Sequence, residues 1–146
     1  MALGNIVQAY TTLHYIRRLY PGRFVANPRL GVKTAAYEPQ DSVHRVVPAP
    51  AQAKHAVDQV TPLAARCFGT YTFVVAMVRL YAAYNLHVAP VYDMALWTYA
   101  IALLHFGSEM LVYKTMDFGL PQFFPFAVST GTLLCMPLVR SHYVLE

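Results

Sequence analysis

With 146 residues the chain has room for one domain and no more. Of these residues 57% are hydrophobic and only 12% charged, against about 25% charged in a soluble domain, so lipid is the expected solvent for much of the chain. The net charge of +4 does not point to nucleic acid, because eight of the eleven Lys and Arg lie at or before Arg66 and are scattered singly apart from Arg17-Arg18. No basic helix face or aromatic-interleaved groove emerges from them, and a basic loop between membrane spans explains them better.

Met1 to Ile16 is moderately apolar, broken by Gly4, Asn5 and Gln8. Sixteen helical residues reach only about 24 Å, short for a span, so the expectation here is a short N-terminal helix. No basic region precedes it and no small-residue cleavage site follows it, so it does not read as a signal peptide. Residues 17–61 change character. Six of the ten prolines lie between Pro21 and Pro62, among dispersed charges and with little helical periodicity. An irregular or disordered loop is expected, with a weak turn of helix around Gln52 to Val60.

Thr61 followed by Pro62 has the form of a helix N-cap with proline in the first turn. The run from there to Leu86 is predicted as a span over 62–86, carrying one charge, Arg79, in its apolar part. A short link, Asn85 to Pro90, leads to a second apolar run, predicted as a span over 91–113 and broken by Glu109. Each run is long enough to cross a bilayer, which takes about 20 mostly apolar residues. Neither offers the polar face that a helix at the surface of a soluble domain would show. Tyr81, Tyr84, Tyr92 and Trp97 gather around the link as an expected interfacial belt.

Arg66 lies 22 residues before Val88 at the middle of the link, and Glu109 lies 21 after it. Antiparallel helices would bring the two level, roughly 32 Å from the turn, and an interhelical Arg66–Glu109 ion pair is the inference. The alternative is that each reaches out to headgroups separately. Arg79, only nine residues before Val88, is expected to snorkel toward the turn-side interface. Glu109→Gln should on this reading cost more than Arg79→Gln. His105 and Glu109 are four apart and share a face that Thr98 and Ala102 extend toward the turn. Such a stripe suits hydrogen bonding inside a small bundle, a partner-binding face or a proton path.

Phe118 to Val139 is 22 residues without a charge, the third predicted span, over 118–139. Pro121 and Pro125 at its entrance and Pro137 at its exit should confine regular helix to the middle. Arg140, His142, Tyr143 and Glu146 would form a short polar tail. Cys67 and Cys135 both fall in apolar runs and read as small buried hydrophobes, neither a disulfide framework nor a zinc site. The excess of Lys and Arg puts the long loop and the Lys114 link in the cytosol, with the 85–90 turn and the tail opposite. The fold class is therefore all-α, a small helical transmembrane bundle with three spans and a short N-terminal helix.

The stretches Ala65-Arg66-Cys67-Phe68-Gly69-Thr70-Tyr71-Thr72, Val78-Arg79, Leu96-Trp97-Thr98-Tyr99, His105-Phe106-Gly107-Ser108-Glu109 and Val112-Tyr113 together resemble the ergosterol biosynthetic protein 28 family. No piece is specific alone; their order and spacing over about fifty residues carry the match. Gly4-Asn5-Ile6-Val7-Gln8 is similar to a segment late in the first of that family's four spans, which would make the first residues here the latter part of that helix. Pro125 to Thr130 is similar to its last span. The family's connection between the first two spans is much shorter than residues 17–61, and nothing is carried onto that segment.

The resemblance implies a non-catalytic scaffold of the endoplasmic reticulum membrane. It would tether the sterol C-4 methyl oxidase, the decarboxylating sterol C-3 dehydrogenase and the sterol C-3 keto reductase. Thr70, Trp97 and His105 are the candidate partner-binding residues, with Arg66 and Glu109 fixing the hairpin. No cofactor is expected. The six histidines form no His-x-x-His or His-x-x-x-His box for iron, only His105 lies within a clear span, and no nucleotide-binding glycine motif or Gly-x-Ser-x-Gly elbow occurs. Ser108, Glu109 and His105 crowd five positions of one helix and cannot take triad geometry. The rival from another class is a small oligomeric transporter or proton-conducting protein using Glu109 and His105.

Overall fold

The computed structural model describes residues 2–29 and 45–144. Its elements in chain order are α1 (Ala2–Thr11), α2 (His14–Leu19), β1 (Phe24–Ala26), β2 (Val46–Pro48), α3 (Pro62–Tyr84), α4 (Ala89–Leu111) and α5 (Leu120–Tyr143). The expected N-terminal helix is broken at Thr12-Leu13 into α1 and α2.

Helix α3 begins where the sequence predicts. Thr61 is extended, its side chain accepts the backbone N–H of Ala64 at 3.1 Å, and Pro62 occupies the first turn. Helices α3 and α4 form an antiparallel hairpin, and α5 packs on α4. Proline neither shortens nor stops α5. Pro125 and Pro137 both lie inside it and the helix runs on to Tyr143, so Arg140 and His142 belong to its last turn instead of a loose tail. The carbonyl of Met136, next to Pro137, accepts the Tyr92 hydroxyl at 2.6 Å, which ties α4 to α5.

On the other flank α1 packs antiparallel on α3. Ala9, Ile16, Val60 and Ala65 form one buried cluster, and Leu19, Ala102, Phe106 and Met116 a second. Gly69 permits the contact, since a Cβ there would lie 2.9 Å from the Tyr10 ring and 3.0 Å from Ala9 Cβ. Small residues of this kind let helix backbones approach closely.

The segment 17–61 is more ordered than its prolines suggest. β1 and β2 pair antiparallel, with Phe24 opposite Pro48, and Phe24 also bridges to Val57. Gly22 N–H donates to the Thr115 carbonyl at 2.9 Å, and Arg23 donates to the Ala56 carbonyl at 2.6 Å. The expected turn of helix around Gln52 to Val60 is absent; those residues form turns and a bridge. The fold is thus mostly helical with one small two-stranded sheet, a correction to the all-α expectation. The part of the expected loop from 30 to 44 lies outside the described residues, as does Glu146.

Among the described residues two helices, α3 and α5, are long and apolar enough to cross a membrane. Only 11% of the apolar stretch of either is buried within the protein. A core helix of a soluble protein would bury most of its apolar surface. α4 has the same 23-residue length as α3 and carries Asp93, His105 and Glu109 along it; two membrane-capable helices stand where three spans were predicted. The two cysteines are free and exposed on the helices instead of buried.

Candidate functional site

The α3–α4 hairpin keeps the predicted register near its turn, and Arg79 uses it. Its Nε donates to Thr98 Oγ1 at 2.9 Å and its Nη2 to the Thr98 carbonyl at 3.3 Å, while the guanidinium lies 3.6 Å from the centre of the Tyr99 ring. Arg79 therefore faces the partner helix where snorkelling was expected. Of the four belt aromatics, Tyr81, Tyr84 and Trp97 are exposed, but Tyr92 is buried against α5.

The predicted Arg66–Glu109 ion pair does not form. The ion pairs among the described residues are Arg17–Asp58 and Arg140–Asp93, both at 3.0 Å. The physical reason is azimuth. Thirteen residues separate Arg66 from Arg79, and at about 100° per residue Arg66 points roughly 140° away from the side that meets α4. Ala65 and Gly69 are buried against α1, with Arg66 exposed beside them. Glu109 lies on the same α4 face as Thr98, but its carboxylate accepts the Thr115 hydroxyl from the link after α4.

At the end of the hairpin remote from the turn, the N-terminal segment enters between α3 and α4. The Tyr20 ring rests edge-on against Phe68, 6.0 Å between centroids, and its hydroxyl is 2.7 Å from His105 Nε2. Burial, then the neighbouring Glu109 carboxylate and the Tyr15 and Tyr71 phenols, push the Tyr20 hydroxyl well above the ordinary phenol range. It is a neutral hydrogen-bonding group at any physiological pH. Beside it opens a cavity of about 450 Å³ whose walls include Phe68, Tyr71, Ile101, His105, Glu109 and Thr115. Of the predicted polar stripe of α4, His105 and Glu109 line this cavity, Ala102 packs with Leu19, and Thr98 meets Arg79 of α3.

The candidate partner-binding residues do not share one surface. Thr70 takes the Tyr10 hydroxyl of α1 at 2.7 Å, His105 turns inward to Tyr20, and Trp97 stands outward. Sequence reasoning missed Tyr20, which gives no helical or motif signal, and Gln122. The latter is buried and donates from Nε2 to the carbonyls of Arg18 and Leu19 at 2.9 and 2.8 Å, joining α5 to the end of α2. Among the described residues no group of three or more His, Cys, Asp or Glu could hold a metal ion.

A small helical bundle with two outward-facing, membrane-capable helices and a mostly apolar cavity at one end defines a membrane-associated helical protein. The chain belongs to the Erg28 family: the family described as "Erg28 like protein" matches residues 1–134. It is 56% identical to ergosterol biosynthetic protein 28 of Gibberella zeae over 144 residues, 99% of this chain and 84% of the relative. It is 38% identical to the Saccharomyces cerevisiae protein of that name over 85 residues, 58% of this chain and 57% of the relative. With the human homologue the identity is 35% over 85 residues, 58% of this chain and 60% of the relative. The match to the Gibberella protein covers 99% of this chain and so takes in the Pro-rich segment. No solved structure matches the chain.

Proposed function

We propose that this protein is a non-catalytic scaffold of ergosterol biosynthesis in the endoplasmic reticulum membrane, holding together the sterol C-4 methyl oxidase, the decarboxylating C-3 dehydrogenase and the C-3 keto reductase. The observation that carries this reading is the 56% identity, over 99% of the chain, to a relative named for ergosterol biosynthesis. Its outer surface agrees with it: Leu80, Trp97, Leu104, Leu134 and Leu138 are all more than half exposed, apolar area that only lipid or other membrane helices can cover. Holding three enzymes in one membrane patch raises the effective concentration of each for the next intermediate.

In this arrangement α4 is a third span beside α3 and α5, with Asp93 near the turn-side boundary and Glu109 near the other. The strand pair, the 113–119 link and the basic N-terminal segment share one end of the bundle, and the positive-inside rule assigns that end to the cytosol. The test is affinity purification of the full chain in mild detergent. Co-purification of the three sterol enzymes supports the scaffold. Turnover of a 4-methyl sterol by the purified protein alone, or pH-dependent flux through a homo-oligomer in liposomes, overturns it.

A further inference from the structure

The cavity between the N-terminal segment, α3 and α4 has an unmet polar requirement. Tyr71, in its wall, has a hydroxyl that is buried and without a hydrogen-bond partner. Leaving such a group unsatisfied costs about 1–3 kcal/mol. Of the other polar side chains there, Tyr20 is engaged with His105 and Thr115 with Glu109, and Gln59 is exposed and solvated. The remaining surface is largely apolar, supplied by residues such as Ile16, Phe24, Phe68 and Ile101. Its volume, about 450 Å³, falls within the roughly 300–1,000 Å³ of sites that enclose one small organic molecule.

The charge pattern selects among lipids. Among the described residues no lysine or arginine lines the cavity and one carboxylate, Glu109, does, so a phosphate headgroup would meet repulsion there. A neutral lipid with a single hydroxyl or carbonyl needs only the one hydrogen bond that Tyr71 has to give. We propose that this cavity binds one sterol molecule by its ring system, with the Tyr71 hydroxyl bonded to the sterol's oxygen. The choice of a sterol over a fatty alcohol rests on the reading of the protein as part of sterol biosynthesis; the polarity of the site does not.

Cys67 lines the cavity and is free and exposed, which supplies a direct readout. The full chain carrying Cys135→Ser is purified in mild detergent, and alkylation of Cys67 by N-ethylmaleimide is timed with added ergosterol, stearyl alcohol or phosphatidylcholine. In parallel a diazirine sterol with a free hydroxyl is photolysed and the labelled peptides are mapped. Saturable protection by ergosterol, with labels within residues 59–71 and 101–115, is expected. Tyr71→Phe should weaken that protection about 3- to 10-fold, the worth of one hydrogen bond, while leaving the thermal midpoint unchanged or raised. Ala64→Phe, which fills the cavity from the first turns of α3, should abolish it. Equal protection by stearyl alcohol, labels confined to the outer helix faces, or unaltered protection in Tyr71→Phe overturns the proposal. Capture of the sterol enzymes is a separate readout: its loss with sterol protection intact overturns the scaffold alone, and the reverse overturns this site alone.

Discussion

Arg79 and Thr98 are the point at which α3 and α4 are keyed together: the guanidinium donates to both the hydroxyl and the carbonyl of Thr98, and the hydroxyl itself donates to the Ala95 carbonyl at 2.7 Å. Thr98 is buried, so its oxygen is an acceptor that solvent does not replace. Thr98→Val keeps shape and volume but removes that acceptor, and should cost about 1 kcal/mol, the upper side of what interhelical hydrogen bonds contribute in membranes. Thr98→Ser should cost less. Thermal unfolding in detergent followed by circular dichroism measures both, and equal midpoints for the Val variant and wild type would remove Arg79–Thr98 as the key.

The same geometry inverts the ranking that the sequence suggests for the two charged positions. Glu109 has a hydroxyl for a partner, and Gln can still accept the Thr115 proton, so Glu109→Gln should be nearly neutral. Arg79→Gln loses both the bonds to Thr98 and the stacking on Tyr99, together worth about 2 kcal/mol. A sterol-growth complementation assay alongside the thermal midpoint checks the order. A more severe defect in Glu109→Gln would restore the carboxylate to the role first assigned to it.

Those two residues also mark how much of the site is legible in one dimension. Distance from the turn fixes the height of a residue on an antiparallel helix, and the heights were right: Arg79 meets Thr98 at nearly equal distance from Val88. Azimuth depends on which face each helix buries, and here α1 decides it by occupying the Ala65–Gly69 side of α3. The apolar runs and the Thr61-Pro62 cap located α3, α4 and α5 because those signals are local. Ties such as Gly22 to Thr115 and Gln122 to Leu19 join residues about a hundred positions apart, and no local pattern announces them. Proline density misled at Pro125 and Pro137, where the helix continues.

Gly69 is the position at which the N-terminal helix can be detached without touching the hairpin. Any Cβ there presses on Tyr10 and Ala9, and a leucine leaves α1 no room. Gly69→Leu should destabilise by about 1–3 kcal/mol, the range for overpacked interiors, and should break the Tyr10–Thr70 hydrogen bond. Limited proteolysis between α1 and α2 reports the release. Gly107 and Gly131 have nothing within 4 Å of an added Cβ, so alanine at either should be neutral or stabilising by up to about 1 kcal/mol through helix propensity. If Gly69→Leu behaves like those two, α1 is not held where its neighbours indicate.

Gln122 does for α2 what a cap residue would. The last carbonyls of a helix lack intrahelical donors, and here the Nε2 group of Gln122, only 2% exposed, supplies hydrogen bonds to Arg18 and Leu19. Gln122→Ala leaves those acceptors without that donor and should cost about 1–3 kcal/mol. Gln122→Glu is the sharper variant, because it is nearly isosteric yet turns a donor into a carboxylate facing two carbonyl oxygens. It should be the more damaging of the two at neutral pH and should recover toward the wild-type midpoint as the carboxyl is protonated in acid. Because α2 leads directly into Tyr20, both variants should also loosen the Tyr20–His105 contact. A thermal midpoint for Gln122→Glu that stays equal to wild type across that pH range would show that α5 does not fix the end of α2.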